Sequence, residues 1–349
     1  MASARPALRG KPVRAAVLPE TGQQLVVQEL PDPVPGEGQV LLEVQAAGIC
    51  GSDLHLSDTY APAGTVLGHE YAGRVADVGP GVDASLVGKL VSGFPLVGCG
   101  TCEWCSAGLQ FRCTGFEMNG LARPGAYAEL MRLEVDQLEL LPSSFDARIG
   151  ALVEPLAVAL HALDRAQLRP GEPVLVLGAG PVGLAVALWA RALGASAVVV
   201  SDPAAGRRDL ALKIGATAVI DPLTQDVATG FSDVTGAPAR VVVECVGVTG
   251  LIDQAVAAAG HDCRVVVVGV CMSHDTIFPL NALNREADLS FVFYYRRRDF
   301  ERVVRAIDSG RLDPSAFITD VVGLDDAPAR FAALKQPSTQ GKVLIEPGR

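Results

Sequence analysis

The sequence predicts an α/β protein in which a doubly wound parallel sheet is joined to a second region of short strands. Three observations predict it. After residue 170, short and almost wholly apolar runs recur and alternate with helix-like stretches, as strands buried on both faces of a parallel sheet require. The turn Gly178-x-Gly180-x-x-Gly183 follows the first of these runs and opens a helix-like stretch. The first 155 or so residues are instead rich in glycine, proline and short strand-like segments, the pattern of a barrel.

The apolar runs lie at Val174–Leu177, 197–202, 216–221, 239–247 and 263–270, and a last one, KVLIE, lies near the C-terminus. The uncharged stretch 174–190 is about a turn short of the ~20 residues of a membrane span and is broken by Gly178, Gly180, Pro181 and Gly183. It reads as strand, turn and helix start. With 349 residues, 49% hydrophobic and 19% charged, the chain has apolar material for two cores. Its net charge of −10 opposes a nucleic-acid partner. The N-terminus has basic residues with no apolar segment behind them, so no secretory signal is expected. Soluble, cytoplasmic residence with reduced thiols is the expectation, without membrane contact; residues 1 to 12 are expected to be mobile.

Four of the eight cysteines, Cys99, Cys102, Cys105 and Cys113, follow the spacing C-x2-C-x2-C-x7-C in a glycine-punctuated loop. Paired disulfides do not suit a reducing compartment, and a redox C-x-x-C would sit at a helix start. Four thiolates around one tetrahedral zinc fit the spacing, and such a closed site is structural. Elsewhere, Cys50 in GICGSDLH and His69-Glu70 in GHEYAGRVADVGPGV fall in short glycine-bearing stretches. Those stretches hold two of the five histidines, His55 and His69.

In the glycine turn, backbone amides at a helix N-terminus can meet a pyrophosphate. Asp202, ending the second apolar run, can accept from both ribose hydroxyls of NAD and would repel the 2′-phosphate of NADP. Arg207 and Arg208 nearby complicate that preference. Cys245, Cys263 and Cys271 lie in or beside the strands and read as small core residues.

Jointly, Gly68-His69-Glu70-x2-Gly73-x5-Gly79-x2-Val82, the C-G-S-D-x-H run from Cys50 to His55, the four-cysteine loop and the glycine turn stand in the order found in zinc-containing medium-chain alcohol dehydrogenases. From about Val13 to Glu346 the chain resembles that family, and EPLAVALHA at Glu154 resembles its sorbitol, butanediol and threonine dehydrogenase branch. The resemblance implies a Rossmann NAD-binding domain at 156–294 and a GroES-like β-barrel catalytic domain formed by 1–155 and 295–349. It implies two Zn2+ per chain: a structural one on the four cysteines and a catalytic one on Cys50 and His69. The third catalytic ligand is Glu70 or Glu154, one of them direct and the other through water, or the two in exchange. Asp53 would hold His69. Ser52 would take the alcohol proton, and His55 would pass it to solvent.

Arg207 would contact the adenosine side of the cofactor, and Pro181, Val182 and Val246 would also bind the cofactor. The segments Val268, Gly269, Val270 and Phe291, Val292, Phe293 would border the nicotinamide. The implied reaction is hydride transfer between a secondary alcohol and NAD, giving a ketone, in a homodimer or homotetramer.

Two departures from the branch bear on substrate. Leu56 replaces a frequent tyrosine, and Tyr294-Tyr295 stands where polyol enzymes carry Arg-Tyr. A pocket of Leu56, Phe116, Phe293 and Tyr294 suits an apolar, even cyclic, secondary alcohol; a polyol or vicinal diol is the alternative. Gly88-Lys89 stands where the family has Gly-Asp. A zinc-free enone or quinone reductase would not need Cys50, His69 and Glu154 together. A zinc-stabilised, non-catalytic NAD-binding protein would not need Ser52 and His55.

Overall fold

The computed structural model describes residues 12–336 and 340–349. Of residues 1 to 12, expected to be mobile, 1 to 11 lie outside the described residues. Six strands form the parallel sheet: β1 (Val174–Leu177), β2 (Val198–Ser201), β3 (Ala218–Ile220), β4 (Ala239–Glu244), β5 (Ala259–Val267) and β6 (Asp288–Phe291). Their spatial order is β3-β2-β1-β4-β5-β6, and every pairing is parallel. Every residue of β1 and β2 is buried, as strands covered on both faces require. The third run shrinks at both ends. The fifth extends back to Ala259, because Ala259 pairs with Ala239 before a register shift.

The strand order turns back on itself between β1 and β4, which opens a crevice at the carboxyl ends of these strands. The glycine turn sits there. It leads into the helix Pro181–Ala192, which has Gly180 at its N-cap and proline in its first turn. A Cβ on Gly183 would lie 1.9 Å from the Gly178 carbonyl oxygen, so helix and strand meet only if that residue is glycine. The apolar stretch 174–190 is thus strand, turn and helix. Among the described residues no helix is long and apolar enough to cross a membrane.

A seven-stranded sheet is drawn from both ends of the chain. Its path runs Leu138–Leu140, Leu90–Gly93, Glu70–Val78, Gln39–Gly48, Lys342–Glu346 and Ile318–Gly323, and Leu130–Glu134 also pairs with Gln39–Gly48. The C-terminal strand therefore lies beside the strand that leads to Cys50. The helix Val153–Arg165 joins the two regions. Its residues are almost all buried, and the Trp189 indole N–H donates to the Leu156 carbonyl at 2.9 Å. The expected boundary at 155/156 falls inside this helix. On its other side it meets the helix Arg297–Asp308 through His161 Nδ1 and Asp299 Oδ2, 3.0 Å apart.

Candidate active site and metal-ligand clusters

A cleft of about 980 Å³ runs from the carboxyl ends of the parallel strands to the end of the strand Gln39–Gly48. Cys50, His69 and Glu70 meet at one end of it, with one ligand atom from each within 4.8 Å of the others. Local structure brings them together. Cys50 is the N-cap of the helix Gly51–Thr59, and its amide donates to Asp53 Oδ2 at 3.1 Å. The other Asp53 oxygen lies 3.1 Å from His69 Nδ1, and the Tyr127 hydroxyl donates to Asp53 Oδ2 at 2.7 Å. One wholly buried carboxylate thus caps the helix and orients the imidazole. With Nδ1–H turned to Asp53, the Nε2 lone pair is left for a metal. Burial works against a charged His69, but Asp53 and Cys50 together outweigh it and raise the imidazole pKa.

Glu70 opens its strand opposite Gly48. Its Oε1 accepts from the Lys342 ammonium at 2.6 Å, whereas Oε2 is buried without a partner. Lys342 is itself 1% exposed and also donates to the Ile49 carbonyl at 3.2 Å. Glu154 lines the same cleft from the first turn of its helix but lies outside the trio of ligand atoms. Burial pushes its carboxyl up to about 7, with His69 opposing and Glu70 adding to the rise. Ser52 Oγ lies 3.1 Å from Cys50 Sγ and 3.3 Å from His69 Nε2. His55, one turn further along, is exposed at the cleft. A thiolate, an imidazole fixed by an aspartate and a carboxylate oxygen without a partner form a donor set that fits zinc and leaves a position open.

The second cluster differs in kind. The sulfurs of Cys99, Cys102, Cys105 and Cys113 lie within 4.8 Å of one another. The amides of Cys99 and Gly115 both point at Cys113 Sγ, at 3.3 Å each, as a thiolate favours. This all-sulfur group suits a closed tetrahedral zinc.

Gly178, Gly180, Pro181 and Val182 line the crevice, with Gly183 packed beneath. Asp202 is nearly buried on the same wall. Its Oδ2 accepts from the Ala179 amide at 2.9 Å and its Oδ1 from the Ala204 amide at 2.8 Å. The acid therefore also holds the glycine turn. Arg207 lines the cleft with Nη1 3.8 Å from Asp202. Val246, Val268, Gly269 and Val270 form the middle of the wall, and Val292 and Phe293 continue it.

Phe291 does not line the cleft. It ends the edge strand β6 and is 63% exposed, whereas Val292 and Phe293, just past the strand, reach the cleft. Phe116 is also not on the wall. It stands behind Tyr294, with ring centroids 5.3 Å apart. Leu56 and Phe293 do line the cleft. Tyr294 has the left-handed φ of 55°, which puts its ring on the wall, while Tyr295 is buried against Phe94.

Sequence reasoning missed Lys342 and Tyr127. Lys342 left one signal, a single charge heading the apolar strand VLIE. Tyr127 left none.

Two family descriptions match the chain: "Alcohol dehydrogenase GroES-like domain" over residues 36–143 and "Zinc-binding dehydrogenase" over residues 181–309. A 2-dehydro-3-deoxy-L-galactonate 5-dehydrogenase from Pseudoalteromonas atlantica is 36% identical over 320 residues, 89% of this chain and 92% of that protein. Sorbitol dehydrogenase from Bacillus subtilis is 32% identical, covering 97% of this chain and 98% of its own. Among solved structures, 2R,3R-butanediol dehydrogenase from Bacillus subtilis superposes with a TM-score of 0.88 at 28% identity, over 96% of this chain and 99% of that one.

Proposed function

The chain belongs to the zinc-dependent medium-chain alcohol dehydrogenase family and is a zinc- and nicotinamide-dinucleotide-dependent oxidoreductase of alcohols, and from that premise we propose that it oxidises an apolar secondary alcohol to a ketone with NAD. The observation that carries this reading is the trio Cys50, His69 and Glu70 at one end of the cleft whose wall holds the glycine turn.

In the proposal, Cys50, His69 and Glu70 Oε2 hold the catalytic ion, Asp53 holds His69, and Lys342 holds the other oxygen of Glu70. Glu154 stands by as the second carboxylate. Zinc there would make an alcohol hydroxyl more acidic, and the nicotinamide would accept hydride from its carbon. Ser52 Oγ, beside the ligand atoms, takes the hydroxyl proton, and His55 passes it to solvent. The four cysteines hold the structural ion. Asp202 supports NAD over NADP, with Arg207 beside the adenosine.

Leu56, Phe293 and Tyr294 on the wall support an apolar substrate. A polyol or diol is the second reading, favoured by likeness to enzymes named for sorbitol and butanediol. We also propose the division into a catalytic domain, 1–155 with 295–349, and a cofactor domain, 156–294, which the two sheets support. A homodimer or homotetramer is supported by apolar side chains left exposed at and before the free edge of β6, Leu283 and Phe291 among them. Cytoplasmic residence is proposed from the eight thiols.

The test is NAD-linked oxidation of cyclohexanol, 2,3-butanediol and sorbitol, with Cys50→Ala as control. The reading expects cyclohexanol to have the highest kcat/KM and Cys50→Ala to be inactive. Wild-type activity in that variant would end the zinc assignment, and preference for sorbitol would favour the second reading.

A further inference from the structure

Glu244 ends β4, is 1% exposed and does not itself line the cleft. Its side chain and its backbone nevertheless hold two of the loops that do. Its Oε1 accepts from the amides of Val246 at 2.7 Å and Gly247 at 2.9 Å, the loop that follows β4. Its backbone carbonyl accepts from the amides of Val268 at 2.9 Å and Gly269 at 3.0 Å, the loop that follows β5. The two loops touch. A Cβ on Gly269 would lie 2.2 Å from the Gly247 nitrogen and 2.7 Å from Glu244 Oε2. No larger residue fits at Gly269 without parting them. Glu244 Oε2 is buried with no partner, so a carboxylate is kept here at a cost that packing alone does not explain.

We propose that Glu244 is a positioning residue for the nicotinamide half of the cofactor. It fixes the loops 245–247 and 268–270 against each other, so that Val246, Val268 and Val270 present one rigid surface to the ring. The adenosine half rests on a different part of the wall, the glycine turn with Asp202 and Arg207; the Glu244 carboxylate bonds to the loop after β4, and Glu244 meets the turn only indirectly, through the pairing of its strand with Leu177 and the packing of Val246 against Gly178. This rests on the reading that the nicotinamide lies over these two loops.

The two halves can be separated with two probes. NADH carries the nicotinamide and ADP-ribose lacks it, and both can be titrated calorimetrically against zinc-loaded full-length enzyme. Glu244→Leu keeps the volume but removes the acceptor for two buried amides; it should weaken NADH about tenfold and leave ADP-ribose within about twofold. Glu244→Gln keeps one oxygen for those amides and should restore NADH affinity to within about threefold of wild type. Equal weakening of both probes by Glu244→Leu would mean general loosening of the domain and would overturn the proposal. Unchanged NADH binding in that variant, or failure of Glu244→Gln to rescue, would also overturn it. Wild-type enzyme that binds both probes equally would overturn the placement of the ring itself, whatever alcohol the enzyme oxidises.

Discussion

The two candidate metal-ligand clusters of this chain use the same element of chemistry, a cysteine sulfur, under opposite conditions. The loop of Cys99, Cys102, Cys105 and Cys113 runs from exposed to buried and offers sulfur alone, steadied by its own backbone amides. The trio of Cys50, His69 and Glu70 has two buried members, mixes three donor types and is backed by Asp53, Tyr127 and Lys342. A closed set of like ligands needs only the loop that carries it. An open set has to be held from behind, because the ion cannot complete its own shell with protein. Stability is therefore expected to depend on the first cluster and turnover on the second.

The sharpest break of that comparison is Cys50→Ala. Its kcat/KM should fall about a thousandfold or more. Bound zinc should drop from two ions to one, with the thermal midpoint little changed; a midpoint that collapses would erase the distinction. Next is Lys342→Met, which, when no ion is bound at Glu70 Oε2, leaves Glu70 buried without a cation and should cost about 3–5 kcal/mol in denaturant unfolding. Here the turnover cluster reaches into stability, and an unchanged unfolding curve would show that Glu70 is not ionised beside Lys342.

Cys102→Ser should also lose one zinc, but with the reverse signature. Release of the loop cross-link should cost roughly 3 kcal/mol, while folded enzyme keeps its kcat. Asp53→Asn leaves His69 the wrong partner at Nδ1 and should weaken metal affinity or activity about 10- to 100-fold, measured by competition with a chelator.

The smallest effect belongs to a site outside both clusters. Burial alone would raise the Asp299 carboxyl, but hydrogen bonds from His161 and the Arg296 amide outweigh it and hold the pKa below the ordinary 3.8. Its contribution to stability is complete above pH 3.8 and is lost as pH falls through the lower folded value. Wild type should thus exceed Asp299→Asn by about 1 kcal/mol near neutral pH and lose that margin in acid, with the zinc count unchanged. A margin constant with pH would show that Asp299 is not ionised in the fold.

Much of this was legible along the chain because the signals are local. Four cysteines within fifteen positions, or three glycines within six, are constrained by turns that span only a few bonds. The partners of the Cys50, His69 and Glu70 trio are different. Asp53 and His69 are 16 residues apart, Tyr127 lies 74 from Asp53, and Lys342 lies 272 from Glu70. Nothing in a tyrosine after an alanine marks such a pairing, and a single charge heading an apolar strand marks Lys342 without naming its partner.

By itself, the sequence determined the strand–turn–helix unit at the glycines, the alternation of buried strands and helices, and the four-cysteine loop, since each depends on residues close enough to constrain one another directly. Tertiary structure alone decided that Glu70 rather than Glu154 stands with Cys50 and His69, that Phe291 turns away from the cleft, and that a lysine from the last strand is buried behind the site. Those outcomes depend on which strands become neighbours in the seven-stranded sheet, a choice made by the packing of the whole core.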